Sequence, residues 1–193
     1  MKRFLHIVLL ILLLITPLKA NDIKKFQIDD MSIGDSLLNF FSEEEIINGV
    51  KTNYPGSKEF YGIHFLSKSD NYDQYSFMIK SNDKKYRIHS LSGDIYFIDD
   101  LSGCLEKKEE IVKDVSSMFS NIKKNTYTHK YKSTADGKSF SKVTDLENLK
   151  NGLIRIYCNS YSKKTEKLGY KDALVVNIST NELTNWINNK AYK

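Results

Sequence analysis

Three histidines, His64, His89 and His129, follow the first twenty residues and are the natural starting points for chemistry. Imidazole moves protons near neutral pH and ligates zinc. None of the three has the i, i+4 spacing that sets two ligands on one helix face. Each lies in a strand-like run, so a shared site would require convergence from separate strands, and the reading adopted is of satisfied or surface histidines. The acids form two pairs, Asp29-Asp30 and Asp99-Asp100, and a cluster, Asp70-Asn71-Tyr72-Asp73. None follows a calcium loop, which alternates oxygen ligands around a central glycine and ends in glutamate. Acids beside turns commonly cap helices or close Asx-turns. Paired carboxylates for glycoside cleavage are a matter of three-dimensional spacing, and nothing in the residue order selects a pair. Gly137-Lys138-Ser139 imitates the tail of a phosphate-binding loop, but Lys132 stands where that loop needs its first glycine. There is no Gly-x-Ser-x-Gly nucleophile elbow. The sequence therefore supplies no recognisable catalytic set, and it calls for no cofactor and no metal.

Cys104 and Cys158 are the only cysteines. In an exported domain a pair suggests one disulfide. Closing that loop is worth ~4 kcal/mol in the chain-entropy account. The alternatives are an inert buried thiol at Cys158 and a reactive Cys104 at a helix N-terminus, where thiolate is favoured. No Cys-x-x-Cys exists, so a thioredoxin-like redox role has no support.

Export is expected from the opening segment. Lys2 and Arg3 precede an apolar run over 4–18, broken only by His6, Thr16 and Pro17, and Lys19-Ala20 closes it. This is the layout of a secretory leader, with the cut between Ala20 and Asn21. The run has 15 residues, whereas a membrane span needs roughly 17 to 25. Leu18 is bulky for its place three residues before the cut, which keeps an uncleaved anchor as the alternative. No cysteine follows the run, so the acylated-cysteine route to a lipoprotein is closed. The formal charge is +5, of which Lys2, Arg3 and Lys19 supply three, leaving +2 beyond the cut. Lysines and acids are interspersed, as in Glu106-Lys107-Lys108-Glu109-Glu110, rather than gathered into the basic face of a nucleic-acid binder. The 26 Lys against 3 Arg, with 4 Ala and 2 Pro, track AT-rich codons.

Patterning then places the elements that must position these residues. A short amphipathic helix is expected over 31–41, capped by Ser32, and a second begins at Ser42 with Glu45 in a capping box and Ile46 and Ile47 inward. Strand-like runs follow at 60–66 and 75–80. The runs 86–89 and 95–98 flank Ser90-Leu91-Ser92-Gly93-Asp94, which reads as a hairpin turn. The best helix spans 106–119, with Ile111, Val112, Val115, Met118 and Phe119 on one stripe. Tyr127, His129 and Tyr131 alternate like a strand, and Asp136-Gly137 suits a hairpin turn. Strong strands at 153–158 and 173–178 precede a last helix, capped by Ser179, with Leu183, Trp186 and Ile187 as its apolar face.

The segment 28–46, opening Ile28-Asp29-Asp30-Met31-Ser32-Ile33-Gly34-Asp35, resembles the start of a family of uncharacterised exported proteins from marine alphaproteobacteria with AT-rich genomes. The segment 176–192, which carries Glu182-Leu183-Thr184-Asn185-Trp186-Ile187, is similar to that family's ending. The resemblance implies a bacterial exported protein and supplies no activity. A weaker likeness is to the helix-helix-meander modules of outer-membrane assembly lipoproteins and β-lactamase-inhibitor proteins. Asp30 stands where their glycine precedes the first helix, and the lipoprotein cysteine is missing. That likeness implies fold class alone.

The expected fold is α+β, a mostly antiparallel sheet of about 6–8 strands with helices packed on it and two halves of similar order. Residues 1–20 are expected to be the signal peptide. Residues 21–193 are expected to form a single domain, or two subdomains meeting near 103–125. The functional expectation is a periplasmic or secreted, non-catalytic protein that binds an unknown protein or small molecule of the cell envelope. It involves no nucleic acid and no stable membrane insertion after cleavage. The alternatives are an envelope hydrolase with an unfamiliar site and, if the leader stays, an anchored structural component.

Overall fold

The structure is a computed structural model that describes residues 22–131 and 136–193. The expected leader and the cut between Ala20 and Asn21 lie outside the described residues. In chain order the described residues form α1 (Glu43–Asn48), β1 (Val50–Thr52), β2 (Phe60–Leu66), β3 (Gln74–Lys80), β4 (Ile88–Tyr96), α2 (Leu101–Ser117), β5 (Lys123–Lys130), β6 (Phe140–Leu149), β7 (Gly152–Ser160), α3 (Lys163–Glu166), β8 (Ala173–Thr180) and α4 (Asn181–Asn189). The strands join in one open antiparallel sheet, ordered β1-β2-β3-β4-β8-β7-β6-β5. Two four-stranded meanders thus meet at their last strands, β4 and β8, and α2 connects them. The fold is α+β, strand-dominated, with few helices.

Period-two alternation decides which side chains go inside. In β7, Ile154, Ile156 and Cys158 are buried on one face, while Leu153, Arg155, Tyr157 and Asn159 point to the other. Over the first meander the inner face is covered by Ile23, Phe26, Ile28, Met31, Ile33, Leu37 and Ile46, packed with Ile63, Phe77, Ile79, Ile88 and Leu91. Over the second it is covered by α2, through Cys104, Val112 and Val115. Cys104 and Cys158 are disulfide-bonded, with Cα atoms 6.0 Å apart, so the bridge fastens the first turn of α2 to β7. Lys108 is 2% exposed beneath the same helix, and its Nζ donates to Thr144 Oγ1 at 2.9 Å and to Glu109 Oε1 at 2.8 Å. Those bonds offset its desolvation.

Several local expectations need correction. The segment 31–41 is not a helix. Gly34 adopts φ +93°, and the N–H groups of Gly34 and Leu37 donate to Ile88 O and Tyr86 O, leaving one 3-10 turn at Leu37–Asn39. The capping box at Ser42 forms, with Glu45 N donating to Ser42 Oγ at 3.2 Å and Ser42 N to the Glu45 carboxylate at 2.8 Å. Ile46 is buried there, but Ile47 is 54% exposed, because six residues turn only one of the two inward. The run 90–94 is no turn. It lies inside the continuous strand β4, whose Leu91 is buried and whose serines face the opposite side. Helix α2 begins earlier than expected, because the Asp100 side chain accepts from Gly103 N at 2.9 Å and caps it. The last helix is capped by Thr180 rather than Ser179. No helix among the described residues is long and apolar enough to cross a membrane.

Candidate functional site

The outer face of the sheet forms an open groove of about 830 Å³. Helix α4 lies across one end of it. Leu183 and Trp186 pack there on Phe60, and Trp186 Nε1 donates to Ser57 Oγ at 3.0 Å. The floor follows from strand register. One row runs Gln74, Asp94, Val175, Tyr157, Val143, Tyr127, and the next runs Tyr96, Ala173, Asn159, Ser141, His129. In both rows β8 contributes a small apolar side chain, with larger polar or aromatic groups on β4 and β7 at either hand. The result is a trough over Ala173 and Val175, ~10 Å wide from two strand spacings. Tyr131, Tyr161 and Tyr170 close its far end in a chain of ring contacts, 5.8 Å and 5.2 Å between centroids.

Most polar groups of this face bind one another. Asn177 Nδ2 donates to Ser90 Oγ and Ser92 Oγ, both at 2.8 Å. Tyr131 OH donates to Asn159 Oδ1 at 2.9 Å, and Ser141 Oγ donates to the same oxygen at 2.6 Å. Arg155 holds Asp145 bidentately, with Nε at 2.7 Å from Oδ1 and Nη2 at 2.8 Å from Oδ2. Asp145 is buried, so Arg155→Ala would leave its carboxylate only the Tyr127 hydroxyl at 3.3 Å, and breaking a buried pair typically costs about 3–5 kcal/mol. We expect a loss near the lower end, about 3 kcal/mol, because the guanidinium is part-exposed. Urea unfolding of the variant at pH 7 measures it, and a loss below about 0.5 kcal/mol would mean the pair acts like a surface ion pair.

Asp94 is the exception. Its Oδ1 is sealed from solvent without a hydrogen-bond partner among the described residues, and Gln74 Nε2 reaches Oδ2 only at 3.4 Å. Burial, then repulsion from Asp73, pushes the Asp94 carboxyl up to about 7. Burial also raises Tyr96, Tyr157 and Tyr161, with the Asp94 charge adding to each, so the phenols around it stay neutral at physiological pH. At the rim Lys171 Nζ lies 4.2 Å from the centroid of the Tyr96 ring.

The histidines do not converge. His64 lies in the groove with both ring nitrogens engaged, Nε2 with Thr52 Oγ1 at 2.9 Å and Nδ1 with Ser76 Oγ at 2.8 Å. Burial holds it below the ordinary imidazole value. His129 is on β5, six strands away, or roughly 25–30 Å along the sheet. His89 occupies the register shift between β3 and β4, edge-on to Phe60. Its Nδ1 is 3.5 Å from Glu182 Oε2, too long for a hydrogen bond, and burial keeps the ring below its ordinary value. The contact is therefore between a neutral ring and a carboxylate. Asp29 accepts from Tyr75 OH and from Asn71 Nδ2, the latter at 2.9 Å. Asp99, Glu166 and Asp172 approach within 4.8 Å, but Lys163 bridges Asp99 and Glu166, and Asp172 accepts from Tyr161 N at 2.6 Å. That arrangement is an ion-paired loop closure.

No family model, no curated protein and no solved structure matches this chain. The groove therefore has to speak through its own chemistry. Sequence reasoning missed Asp94, which sat inside an apparent turn, and it placed neither Arg155 nor Tyr157 in a site. The usable signal was parity: Leu153, Arg155, Tyr157 and Asn159 alternate with the buried Ile154, Ile156 and Cys158.

Proposed function

We propose that the protein is an exported, non-catalytic binding protein that holds its ligand in the groove on the outer face of the sheet. The observation that carries this reading is the groove itself. Its volume of about 830 Å³ falls within the range of small-molecule sites, roughly 300–1,000 Å³. Seven tyrosines, Tyr54, Tyr96, Tyr127, Tyr131, Tyr157, Tyr161 and Tyr170, line it. Tyrosine offers a large rigid contact area with a polar tip, at little entropy cost. Both ring nitrogens of His64 bond hydroxyls, those of Thr52 and Ser76, so among the described residues no carboxylate orients the imidazole as the third member of a triad, and this favours binding over turnover. The periplasmic or secreted location rests on the leader-like opening and the buried disulfide. The likeness of both chain ends to exported bacterial proteins agrees with it.

The test is ligand-observed NMR of the protein against a chemically mixed library, with hits mapped by tyrosine ring shifts. Hits that compete with one another and move Tyr96, Tyr127 and Tyr157 are expected. Hits that map to the α2 side of the sheet, or none at all, would overturn the reading. One observation favours a second reading, an envelope hydrolase: a carboxyl pushed up to about 7 in a groove is poised as a proton donor. Turnover of an ester, glycoside or peptide that vanishes in Asp94→Asn would select it.

A further inference from the structure

We propose that the ligand of this groove is an organic cation, an ammonium or guanidinium on an apolar body of small-molecule size, seated in the trough between Asp94 and the rings of Tyr96 and Tyr157. The inference rests on the groove being the binding site. Its first support is geometric. Asp94 and Tyr157 flank Val175, and Tyr96 flanks Ala173, so an acid and aromatic rings stand around one apolar slot. The slot's floor suits an apolar body, and its walls suit a positive charge.

The second support is the hydrogen-bond inventory. Asp94 is the carboxylate among the described residues that line the groove, and it has a bare Oδ1 and one long contact at Oδ2, whereas the buried Asp145 beneath is neutralised by Arg155. A buried carboxylate with so few hydrogen bonds holds its charge at a cost in free energy, which a cation in the slot would offset by Coulomb attraction without touching the sealed oxygen. The third support is the rim. Lys171 already lays its ammonium over the Tyr96 ring, the arrangement by which aromatic faces attract cations. An anion would instead meet Asp94, a guanidinium already committed to Asp145 and, at the rim, a Lys171 ammonium already resting on Tyr96.

The groups facing Asp94 set the pH dependence. Asp73, just before β3, repels its charge; Tyr96 on β4, Tyr157 on β7 and Tyr161 beyond β7 are neutral phenols; Arg155 is held by Asp145; Lys171 sits at the rim. A cation prefers the ionised carboxyl, so binding tightens as pH rises through about 7. The ionised fraction grows roughly tenfold between pH 6 and pH 8 for a group of that pKa, and affinity should follow it.

The experiment titrates the protein with butyltrimethylammonium and butylguanidinium. The uncharged 3,3-dimethylbutan-1-ol and the anion butanesulfonate serve as controls, and tyrosine ring shifts are followed at pH 6 and pH 8. At least one cation is expected to bind in the groove tenfold or more tighter than both controls, and about tenfold tighter at pH 8 than at pH 6. Asp94→Asn should remove both the preference and the pH dependence. Tyr157→Leu should weaken the cation more than the alcohol. Tighter binding of the alcohol or the sulfonate, cation binding unchanged in Asp94→Asn, or groove-mapped library hits without any cation binding would overturn the inference and leave the groove as the site. An absence of any ligand at the groove, library included, would remove both.

Discussion

Replacing Cys104 and Cys158 together by alanine is expected to lower folding stability by roughly 4 kcal/mol. The cysteines lie 54 residues apart in sequence, and the entropy of closing a loop of that length gives the figure. Marginal domains hold only about 5–15 kcal/mol in total, so the loss is a large share. The position of the bridge makes it matter locally as well. Helix α2 docks on the second meander through few buried apolar side chains, chiefly Val112 and Val115 besides Cys104. Lys108, the fourth buried residue of α2, contributes a hydrogen bond to Thr144 rather than apolar packing alone. Without the bridge the first turn of α2 loses its tie to β7, and the capping bond from Gly103 N to Asp100 has to hold that end. Cys158 lies between Tyr157 and Asn159, two groove residues, so loosening its inner-face anchor reaches the outer face. Urea unfolding of the wild type and the double variant measures the loss. The variant should also show a steeper denaturant dependence, because its unfolded chain is no longer cross-linked and exposes more surface. A loss under about 1 kcal/mol would mean that Val112 and Val115 dock the helix unaided.

The architecture was largely legible, and the reason is the strength of its periodic signals. Ile154, Ile156 and Cys158 alternate with Leu153, Arg155 and Tyr157, and Phe60 to Leu66 falls in an apolar run that coincides with β2. A long helix between two runs of strands could be read, although the runs at 86–89 and 95–98 are one strand, β4, and the short edge strand β1 was missed. Illegible parts have identifiable causes. Ser90, Ser92 and Gly93 carry turn chemistry in isolation, yet Asn177 on the neighbouring strand bonds both serines and the ring of Tyr72 fills the space beside Gly93. Tertiary partners overrode local preference there. The segment before α1 failed the same way, since the N–H groups of Gly34 and Leu37 bond to Ile88 O and Tyr86 O and so interrupt the helical ladder. The candidate site was the least legible part. Tyr127, His129 and Tyr131 showed their alternation, but the trough exists only because β8 places Ala173 and Val175 between β4 and β7. That adjacency joins residues about 80 positions apart, and no local pattern encodes it. Asp94 consequently read as a turn residue.

Asp94→Asn is expected to make the protein more stable at pH 8, by on the order of 3 kcal/mol, and to leave its stability at pH 4 nearly unchanged. The carboxyl titrates near 7 in the folded chain and near 3.8 in the unfolded one. Between those values the folded state keeps a proton that the unfolded state has released. Stability therefore falls as pH rises through this window, by up to ~1.4 kcal/mol per unit, and the full cost is present above pH 7. Asparagine matches the shape and never ionises, so it escapes that cost. Other acids work in the opposite direction. Asp22, Asp29 and Asp83 are held below the ordinary carboxylate value by hydrogen bonds, to Lys24 N and Asn151, to Tyr75 and Asn71, and to Arg87 respectively, against the desolvation of each. Their stabilisation is present at neutral pH and is lost as pH falls through their folded values. The pH profile of the wild type alone mixes both trends, whereas the difference between wild type and Asp94→Asn isolates one group. Urea midpoints of the two proteins at pH 4, 6 and 8 give that difference, and equal midpoints at pH 8 would mean that water reaches the carboxyl and relieves it. The sign bears on function. Asp94 weakens the fold at neutral pH and gains only the long Gln74 contact from its neighbours, and a cation in the trough is the partner that would reverse that balance. Saturating butyltrimethylammonium should then raise the midpoint of the wild type at pH 8 and leave that of Asp94→Asn where it was, in keeping with selective binding to the folded state.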